Sequence, residues 1–333
     1  MEKMATNNRI PFVDALKGFA ILLVVMGHFL AGIYPDWKTA LDSNAFGMSL
    51  WRVIYGFHMP LFMFCSGFVF YKPRDFFSFR NCSCTILKSF LRLILPYFSF
   101  GLLFYVFFDR FFVFWYLYVL FVFYIITLLI KCIVVKFKWW NIHTDSFFFL
   151  LLSFAAWIIC GKLRSYEILP FLDLGHFSLY LYFILGHVVR QEKLQEILRK
   201  RNILFTIFVV LFFIVGLNKF NLISLPSKLS IFYPLSAIGM FFHFFSILRE
   251  NGKFFKLLER FGRHSLEIYL LHNFFMIKLP MLGGGLDVLP KISSFVLQGI
   301  ISFLASILII AISFCVINLV SKSNILRKIF FGK

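Results

Sequence analysis

The chain has 333 residues, of which 61% are hydrophobic and 15% are charged, and its mean hydropathy is +0.87. Soluble domains carry about a quarter charged residues and about half apolar ones, so this composition excludes a soluble globular protein. The formal net charge is +19, but the basic residues lie in short segments between apolar runs. This distribution favours membrane lipids and cytoplasmic anions as partners over nucleic acid.

About ten apolar runs approach the roughly 20 residues that a membrane-spanning helix needs. We therefore predict an all-α, polytopic membrane protein with about ten transmembrane helices, in a single domain over residues 1–333. The predicted spans are centred on residues 13–34, 50–71, 87–108, 112–134, 146–161, 171–189, 203–218, 229–248, 264–281 and 292–320.

Most of the 34 Lys and Arg residues fall in alternate segments between these runs. The positive-inside rule assigns such segments to the cytoplasm, which places both termini there. Two basic segments, 190–201 and 252–263, have the pattern of short amphipathic helices that lie at the inner membrane surface. The first run carries Asp14 and Lys17 and is long enough to span, so we expect it to be retained rather than removed as a signal peptide.

The six cysteines are scattered along the chain without a CxxC pair. Metal sites built from cysteine usually show such close pairs or other regular spacings. We therefore expect free thiols and no metal site.

The first apolar run contains ionisable residues, with Asp14 and Lys17 at its start and His28 deep inside it. Ionisable groups at membrane depth are costly and usually mark a functional site. At 100° per residue, Lys17 and His28 share one face of the helix, roughly 16 Å apart along its axis. Asp14 falls close to the same face. The sequence therefore predicts a site that reaches from the charged cytoplasmic end of this helix to a buried imidazole.

The second run contains His58 in the sequence YGFHMPLF, at a depth close to that of His28 if the run crosses in the opposite direction. Pro60 lacks a backbone donor and is expected to interrupt the helix locally. Ser66 and Gly67 are small, and we interpret them as a site of close helix packing. His58 is a candidate catalytic residue, or it contacts headgroups or water as an imidazole near the interface.

Five segments, taken together, resemble a known family. In chain order they are VDALKGFAILLVVMGH, FHMPLFMFCSGFVFY, LKSFLRLILPYFSFG, FVFWYLYVL and SLEIYLLH. This combination resembles the membrane-bound acyltransferase 3 family, in particular its branch similar to sugar O-acetyltransferases. The resemblance implies a multi-pass protein of the bacterial inner (plasma) membrane that transfers an acyl group, usually acetyl from acetyl-CoA, to sugars of surface glycans.

The family's motif in the first helix is a basic residue, usually Arg, three turns before an essential His. Lys17 and His28 stand at these positions. Lys is a point charge without the bidentate geometry of Arg. Lys17 in place of the usual Arg therefore still allows phosphate binding, but with a different contact geometry. A second basic pair precedes the third helix in the family, and Lys88 and Arg92 stand there at a looser spacing. The resemblance implies that Lys17, Lys88 and Arg92 hold the phosphates of acyl-CoA.

Acyl transfer to a sugar needs a base, because a hydroxyl group is a poor nucleophile at neutral pH. His28 can take the hydroxyl proton as the thioester carbonyl is attacked, since imidazole with its ordinary pKa of about 6.5 is largely neutral at pH 7. The alternative is that His28 is itself acylated and passes the acyl group on, and the sequence is compatible with both roles. Acetyl-CoA or another acyl-CoA is then a co-substrate, and we expect no bound cofactor.

The remaining candidates have two interpretations each. Asp14 is a candidate catalytic residue, or it forms an i, i+3 ion pair with Lys17 that anchors the helix end. Trp115 is a candidate for stacking on a sugar, although aromatic residues near the interface are expected in any membrane protein. His272, with Glu267 on the same helix, is a candidate for lining the same cavity.

A transporter or flippase for a glycan or lipid is the alternative function, because proton-coupled carriers also combine many spans with buried His and basic residues. Carriers usually have two related halves with interrupted helices, and the sequence shows no second copy of the first-helix pattern. Dependence on acyl-CoA distinguishes the two functions, since a carrier should not consume it.

Overall fold

A computed structural model describes residues 9–33, 46–109, 112–136, 141–163, 173–218, 223–224, 226–278 and 295–333. Within these ranges the regular secondary structure is helical and no strand occurs. The predicted all-α class is therefore confirmed for this part of the chain. Parts of four predicted spans lie outside the described residues, namely residues 34, 171–172, 279–281 and 292–294.

The α-helices follow the apolar runs of the sequence, with short basic helices between some of them. In chain order they are α1 (Pro11–Ile33), α2 (Phe46–Tyr55), α3 (His58–Phe70), α4 (Phe79–Ser89), α5 (Leu95–Phe108), α6 (Trp115–Val134), α7 (Ile142–Leu163), α8 (Tyr180–Gln191), α9 (Leu194–Lys200), α10 (Asn202–Leu217), α11 (Phe232–Ile247), α12 (Lys253–Arg263), α13 (Ser265–Lys278), α14 (Phe295–Val320) and α15 (Asn324–Phe331).

Among the described residues, 7 helical segments are long and apolar enough to cross a membrane, or up to 8 when the bent pair α9 and α10 counts as one span. The predicted spans 171–189 and 264–281 contain the shorter helices α8 and α13, of 12 and 14 residues. A multi-pass membrane protein is thereby confirmed. The count of ten spans and the cytoplasmic location of both termini stay predictions.

Packing divides the chain into two compact units, which are described separately below. The first unit contains residues 1–62 and 198–311, and the second contains residues 63–197 and 312–333. The boundaries fall within α3 and α14. The single domain over residues 1–333 stays a prediction.

In the first unit, α1 and α12 cross with their backbones in contact. A Cβ atom at Gly18 would collide with the carbonyl oxygen of Leu258, and one at Gly262 would collide with that of Asp14. Small residues of this kind allow helices in a membrane to approach closely. Residues of the apolar face of α12 are buried within the protein. The location of the segment 252–263 at the inner membrane surface stays a prediction.

In the second unit, α3 and α8 approach each other in the same manner. A Cβ atom at Gly67 would collide with the carbonyl oxygen of Phe183. The preceding residue, Ser66, forms a hydrogen bond of 2.9 Å between its Oγ and the Oη of Tyr116. These contacts confirm that Ser66 and Gly67 serve helix packing.

A disulfide joins Cys82 of α4 to Cys132 of α6, so the expectation of free thiols is wrong for this pair. The two residues are 50 positions apart, and their thiols meet because α4 packs beside α6. Sequence spacing alone does not indicate such a contact. The free cysteines among the described residues are Cys65, Cys84, Cys160 and Cys315.

Candidate active site

An interruption between α2 and α3 shapes the centre of the site. The two residues that follow α2 form a turn, because the ring of Pro60 would clash with the carbonyl group of Gly56 in a continuous helix. Tyr233 of α11 packs against Gly56, and its hydroxyl donates to the carbonyl oxygen of Val53 over 3.2 Å. The interruption expected from Pro60 is present, and it makes His58 the first residue of α3.

Two predicted histidines contact the same tyrosine in the first unit. The Oη of Tyr55 lies 3.2 Å from Nδ1 of His28, at hydrogen-bond distance. The ring of Tyr55 also meets the ring of His58 edge-on, with 4.7 Å between the centroids. Tyr55 therefore links the histidine of α1 to the histidine of α3.

A third predicted histidine, His272 of α13, completes this imidazole cluster. Its ring centroid lies 5.2 Å from that of His28. His272 is 0% exposed and His58 is 2% exposed, whereas His28 is only partly buried. His28 is therefore the member of the imidazole cluster that a ligand can reach most readily.

The surroundings of two of the three imidazoles fix the position of their protons. Nδ1 of His58 lies 2.8 Å from the carbonyl oxygen of Ile54, and Nδ1 of His272 lies 3.1 Å from that of Ile268. A carbonyl oxygen only accepts, so Nδ1 is the donor in both rings and Nε2 of each neutral ring keeps a lone pair. Nε2 of His272 is buried and has no hydrogen-bond partner within the described part of the chain. It is an unused acceptor on the ring that packs against His28.

Tyr55 is a site residue that the sequence analysis missed. Its ring packs on that of Trp51, with centroids 4.3 Å apart, and it borders a buried apolar cluster that includes Met26 and Ile54. These side chains shield one side of the imidazole cluster from water. A tyrosine carries little signal in a chain with 21% aromatic residues, and its position just before His58 was the available hint.

A charged cluster lies at the start of α1, about three turns from the imidazole cluster. Lys17, Arg9, Arg263 and Glu259 are all close enough to Asp14 for electrostatic interaction. Glu259 also forms an ion pair with Arg263 within α12. The sequence analysis assigned Asp14 and Lys17 to this entrance but not the two arginines, since Arg263 reaches it only through the packing of α12 on α1.

The candidates Lys88, Arg92 and Trp115 belong to the second unit. Lys88 is exposed near the end of α4, and Arg92 is exposed in a π-helical turn, Phe90–Ile94, that leads into α5. Such turns occur frequently at functional sites. Trp115 stacks in parallel on His176 with 3.8 Å between the centroids, so one face of its indole is already occupied.

Glu267 and His272, which the sequence suggested as lining the same cavity, have different neighbours. Oε1 of Glu267 lies 3.7 Å from Nδ1 of His264 at the start of α13, whereas His272 contacts His28 further along the helix. Within the described residues, no group of His, Cys, Asp and Glu side chains has the arrangement needed to hold a metal ion.

A family model described as "Acyltransferase domain" matches residues 10–317. This range covers most of the chain and includes every candidate site residue. The chain belongs to the acyltransferase 3 family. Membership confirms the resemblance seen in the sequence, and it supports acyl transfer over the transporter alternative.

Two curated proteins are partial relatives of this family member. Both are named "Nodulation protein NolL", one from Mesorhizobium japonicum and one from Sinorhizobium fredii. Each is 42% identical to the chain over 65 and 64 residues, respectively, which is 19% of this chain and 16% of the relative. The alignments therefore span about a sixth of the length of these relatives. No solved structure matches the chain significantly.

Proposed function

We propose that this acyltransferase moves an acyl group from acyl-CoA, with acetyl-CoA as the donor, to a sugar hydroxyl of a surface polysaccharide or its lipid-linked precursor. The observation that carries the proposal is the position of His28. It is the least buried imidazole of a packed cluster, and it lies on the same helix as a basic entrance. The chain acts in this proposal as one domain of about ten spans in the bacterial inner membrane.

The proposed reaction needs one base. His28 takes the proton of the sugar hydroxyl as its oxygen attacks the thioester carbonyl carbon. The carbon–sulfur bond then breaks, and the imidazolium returns its proton to the departing thiolate. The products are the acyl ester of the sugar and CoA with a free thiol.

Tyr55 supports this role by fixing the orientation of the base. When Nδ1–H of His28 donates to the Tyr55 hydroxyl oxygen at 3.2 Å, Nε2 carries the lone pair that a general base needs. The same contact holds the ring at a constant angle, which keeps Nε2 aimed at one position. Tyr55 is thus a positioning residue in the proposal.

His272 and His58 support the charged form of the base. Each ring donates its Nδ1 proton to a backbone carbonyl, so each presents a neutral Nε2 lone pair. A lone pair close to a developing imidazolium stabilises its positive charge in surroundings that exclude water. The contact between His28 and His272 therefore stabilises a positive charge on His28 as it takes the hydroxyl proton.

The donor is proposed to enter at the charged end of α1. Lys17, Arg9 and Arg263 surround Asp14 there, and basic side chains of this kind bind phosphate oxygens through charge-assisted hydrogen bonds. The long pantetheine arm of CoA would then rise along α1 and deliver the thioester to His28. In the second unit, Lys88 and Arg92 stay candidates for binding phosphate, and Trp115 stays a candidate for contacting a sugar.

The test is transfer of labelled acetyl from acetyl-CoA to surface glycan in membranes that contain the chain. His28→Ala should lower incorporation of the label by a factor of about 10² or more, the usual contribution of a general base. His143→Ala is the matched control, because the His143 side chain is 84% exposed and belongs to the other unit. It should leave incorporation unchanged.

If the wild type and His28→Ala incorporate equal amounts of labelled acetyl, the proposed reaction stands but His28 is not its base. Failure of the wild type with several acyl-CoA donors and glycan acceptors would reject the proposed function. Recovery of an acyl-imidazole at His28 after rapid quenching would replace the base mechanism by the nucleophilic one.

A further inference from the structure

A cleft in the second unit is lined by residues that the proposed acyl transfer does not involve. It opens to the surface, with about 370 Å³ of empty space that includes the open part, and charged, aromatic and aliphatic side chains line its wall. Its lining includes Lys72, Arg74, Lys131, Asp145, Gln191 and Tyr71.

A buried polar network forms the floor of this cleft. Lys131 of α6 is 3% exposed and forms an ion pair with Oδ2 of Asp145, which lies on α7 and is 8% exposed. Nζ of Lys131 also donates to Oε1 of Gln191 over 2.6 Å, and Nε2 of Gln191 donates to Oδ2 of Asp145 over 3.0 Å. Three helices therefore contribute to one network, which holds its polar groups in a fixed arrangement.

One acceptor of this network is unused. Oδ1 of Asp145 is buried and has no hydrogen-bond partner among the residues that the structure describes. A buried carboxylate oxygen without a donor is destabilising, because burial removes it from water without replacing the lost hydrogen bond. Since Asp145 lines the cleft, a ligand that offers a hydroxyl group would satisfy this oxygen.

Basic side chains lie at the edge of the same cleft. Lys72 and Arg74 follow directly after the span that ends at Phe70, and both are only partly buried. Arg74 donates to the carbonyl oxygen of Val135 over 3.4 Å, which holds its guanidinium beside the cleft. With Asp145 already paired to Lys131, the lining residues carry an excess of positive charge that suits a phosphate group.

The cleft also lies where candidate membrane spans end. Its lining residues come from the ends of two spans, at Phe70 and Val134, and from the start of another, at Ile142. Exposed apolar side chains continue from these span ends along the helices, with Ile133 59% exposed and Ile142 47% exposed. A lipid headgroup can therefore reach the cleft while its acyl chains stay against an apolar surface.

We propose that this cleft binds the headgroup of an anionic phospholipid that carries a headgroup hydroxyl, such as the phosphoglycerol group of phosphatidylglycerol. The phosphate lies between Lys72 and Arg74, and a glycerol hydroxyl donates to Oδ1 of Asp145. A soluble phosphate ester such as a nucleotide offers similar polar groups. The adjoining exposed apolar surface favours the lipid, because a nucleotide has no acyl chains to place on it.

The test measures lipids retained by the full chain after purification in detergent, by native mass spectrometry with added lipids. Phosphatidylglycerol should be retained more tightly than phosphatidylmethanol, which has the same phosphodiester charge but no hydroxyl, and more tightly than zwitterionic phosphatidylcholine. Arg74→Gln should weaken phosphatidylglycerol binding by about tenfold, the loss expected for a charge-assisted hydrogen bond. Lys136→Gln is the control, since Lys136 is exposed and does not line the cleft.

The floor of the cleft is tested with the paired variant Lys131→Met with Asp145→Leu. Replacing both partners avoids leaving one buried charge unpaired, so this variant is expected to fold. It should bind phosphatidylglycerol and phosphatidylmethanol equally. If this variant does not fold, the wild type alone is tested with the same lipids. Equal retention of phosphatidylglycerol and phosphatidylmethanol by the wild type would overturn the hydroxyl contact.

Two further results would overturn the proposal. One is equal binding of phosphatidylglycerol by Arg74→Gln and Lys136→Gln, which would mean that the cleft edge does not hold the phosphate. The other is displacement of the lipid by 3′,5′-ADP from the wild type but not from Arg74→Gln, which would assign the cleft to a soluble nucleotide. Neither result bears on acyl transfer by His28.

Discussion

His272 and His28 belong to the last and first thirds of the chain, yet their rings lie 5.2 Å apart. The Nδ1 proton of His272 is committed to the carbonyl oxygen of Ile268. Its Nε2 is consequently an acceptor buried beside the most accessible imidazole of the site. The pair combines one histidine that a substrate can reach with one that is enclosed.

This arrangement predicts that His272→Asn lowers the rate of acetyl transfer by about 10- to 100-fold, because the imidazolium of His28 loses a stabilising neighbour. His243→Asn is the matched control. Like His272, His243 is almost fully buried, at 1% exposed, and its Nδ1 is bonded to a backbone carbonyl, that of Leu198. It lies outside the imidazole cluster. Steady-state transfer assays at equal amounts of folded protein compare His272→Asn with His243→Asn. Equal losses of transfer rate would show that both substitutions disturb the packing of a buried histidine rather than catalysis.

Tyr55→Phe is predicted to lower kcat by about tenfold, the effect of one lost hydrogen bond that orients the base. The KM for acetyl-CoA should change little, since Tyr55 is not at the charged entrance. Trp51→Phe, on the neighbouring turn, provides the control for altered aromatic packing. An unchanged kcat in Tyr55→Phe would remove Tyr55 from the site.

Lys17→Gln is predicted to raise the KM for acetyl-CoA by about tenfold, because one charge-assisted contact to phosphate is lost. Lys17→Arg should retain the low KM, since guanidinium offers the bidentate geometry typical of the family. Lys253→Gln removes an exposed charge at the start of α12 and should leave KM unchanged. A fall in kcat at constant KM for Lys17→Gln would contradict a role in donor binding.

Gly262→Ala is predicted to destabilise the protein by about 1–3 kcal/mol, the usual effect of overpacking. The added methyl group would meet the carbonyl oxygen of Asp14, which α1 can avoid only by moving away from α12. Gly161→Ala is the control, because a Cβ atom there has no heavy atom within 4 Å among the described residues. Thermal unfolding in detergent measures both, and a Gly262→Ala variant as stable as Gly161→Ala would show that the crossing is loose.

Long apolar runs allowed the helices to be predicted, because a bilayer-spanning segment must satisfy its backbone internally. The run predicted over 112–134 is observed as Trp115–Val134. The helices α8 and α13 are shorter than the spans predicted for them. Tertiary contacts rather than length stabilise these two helices. The close approach of α12 to α1 was missed because a basic amphipathic pattern fits a membrane surface and a protein groove equally well.

The candidate site could be predicted one helix at a time but not as a cluster. His28, His58 and His272 each stand out as ionisable residues in apolar helices. Their contacts depend on how α1, α3 and α13 pack, which local sequence does not specify. The pair of Lys131 and Asp145 was missed for the same reason, because each residue alone fits the end of a span.

The crossing of Gly18 and Gly262 has a consequence for the order of assembly. Gly18 is synthesised before Gly262, and most of the described chain lies between them. Contacts between such distant segments form late, because the intervening chain must be present first. Helix α1 is therefore in the membrane before its partner α12 exists, and a polypeptide released before Gly262 is made lacks this crossing.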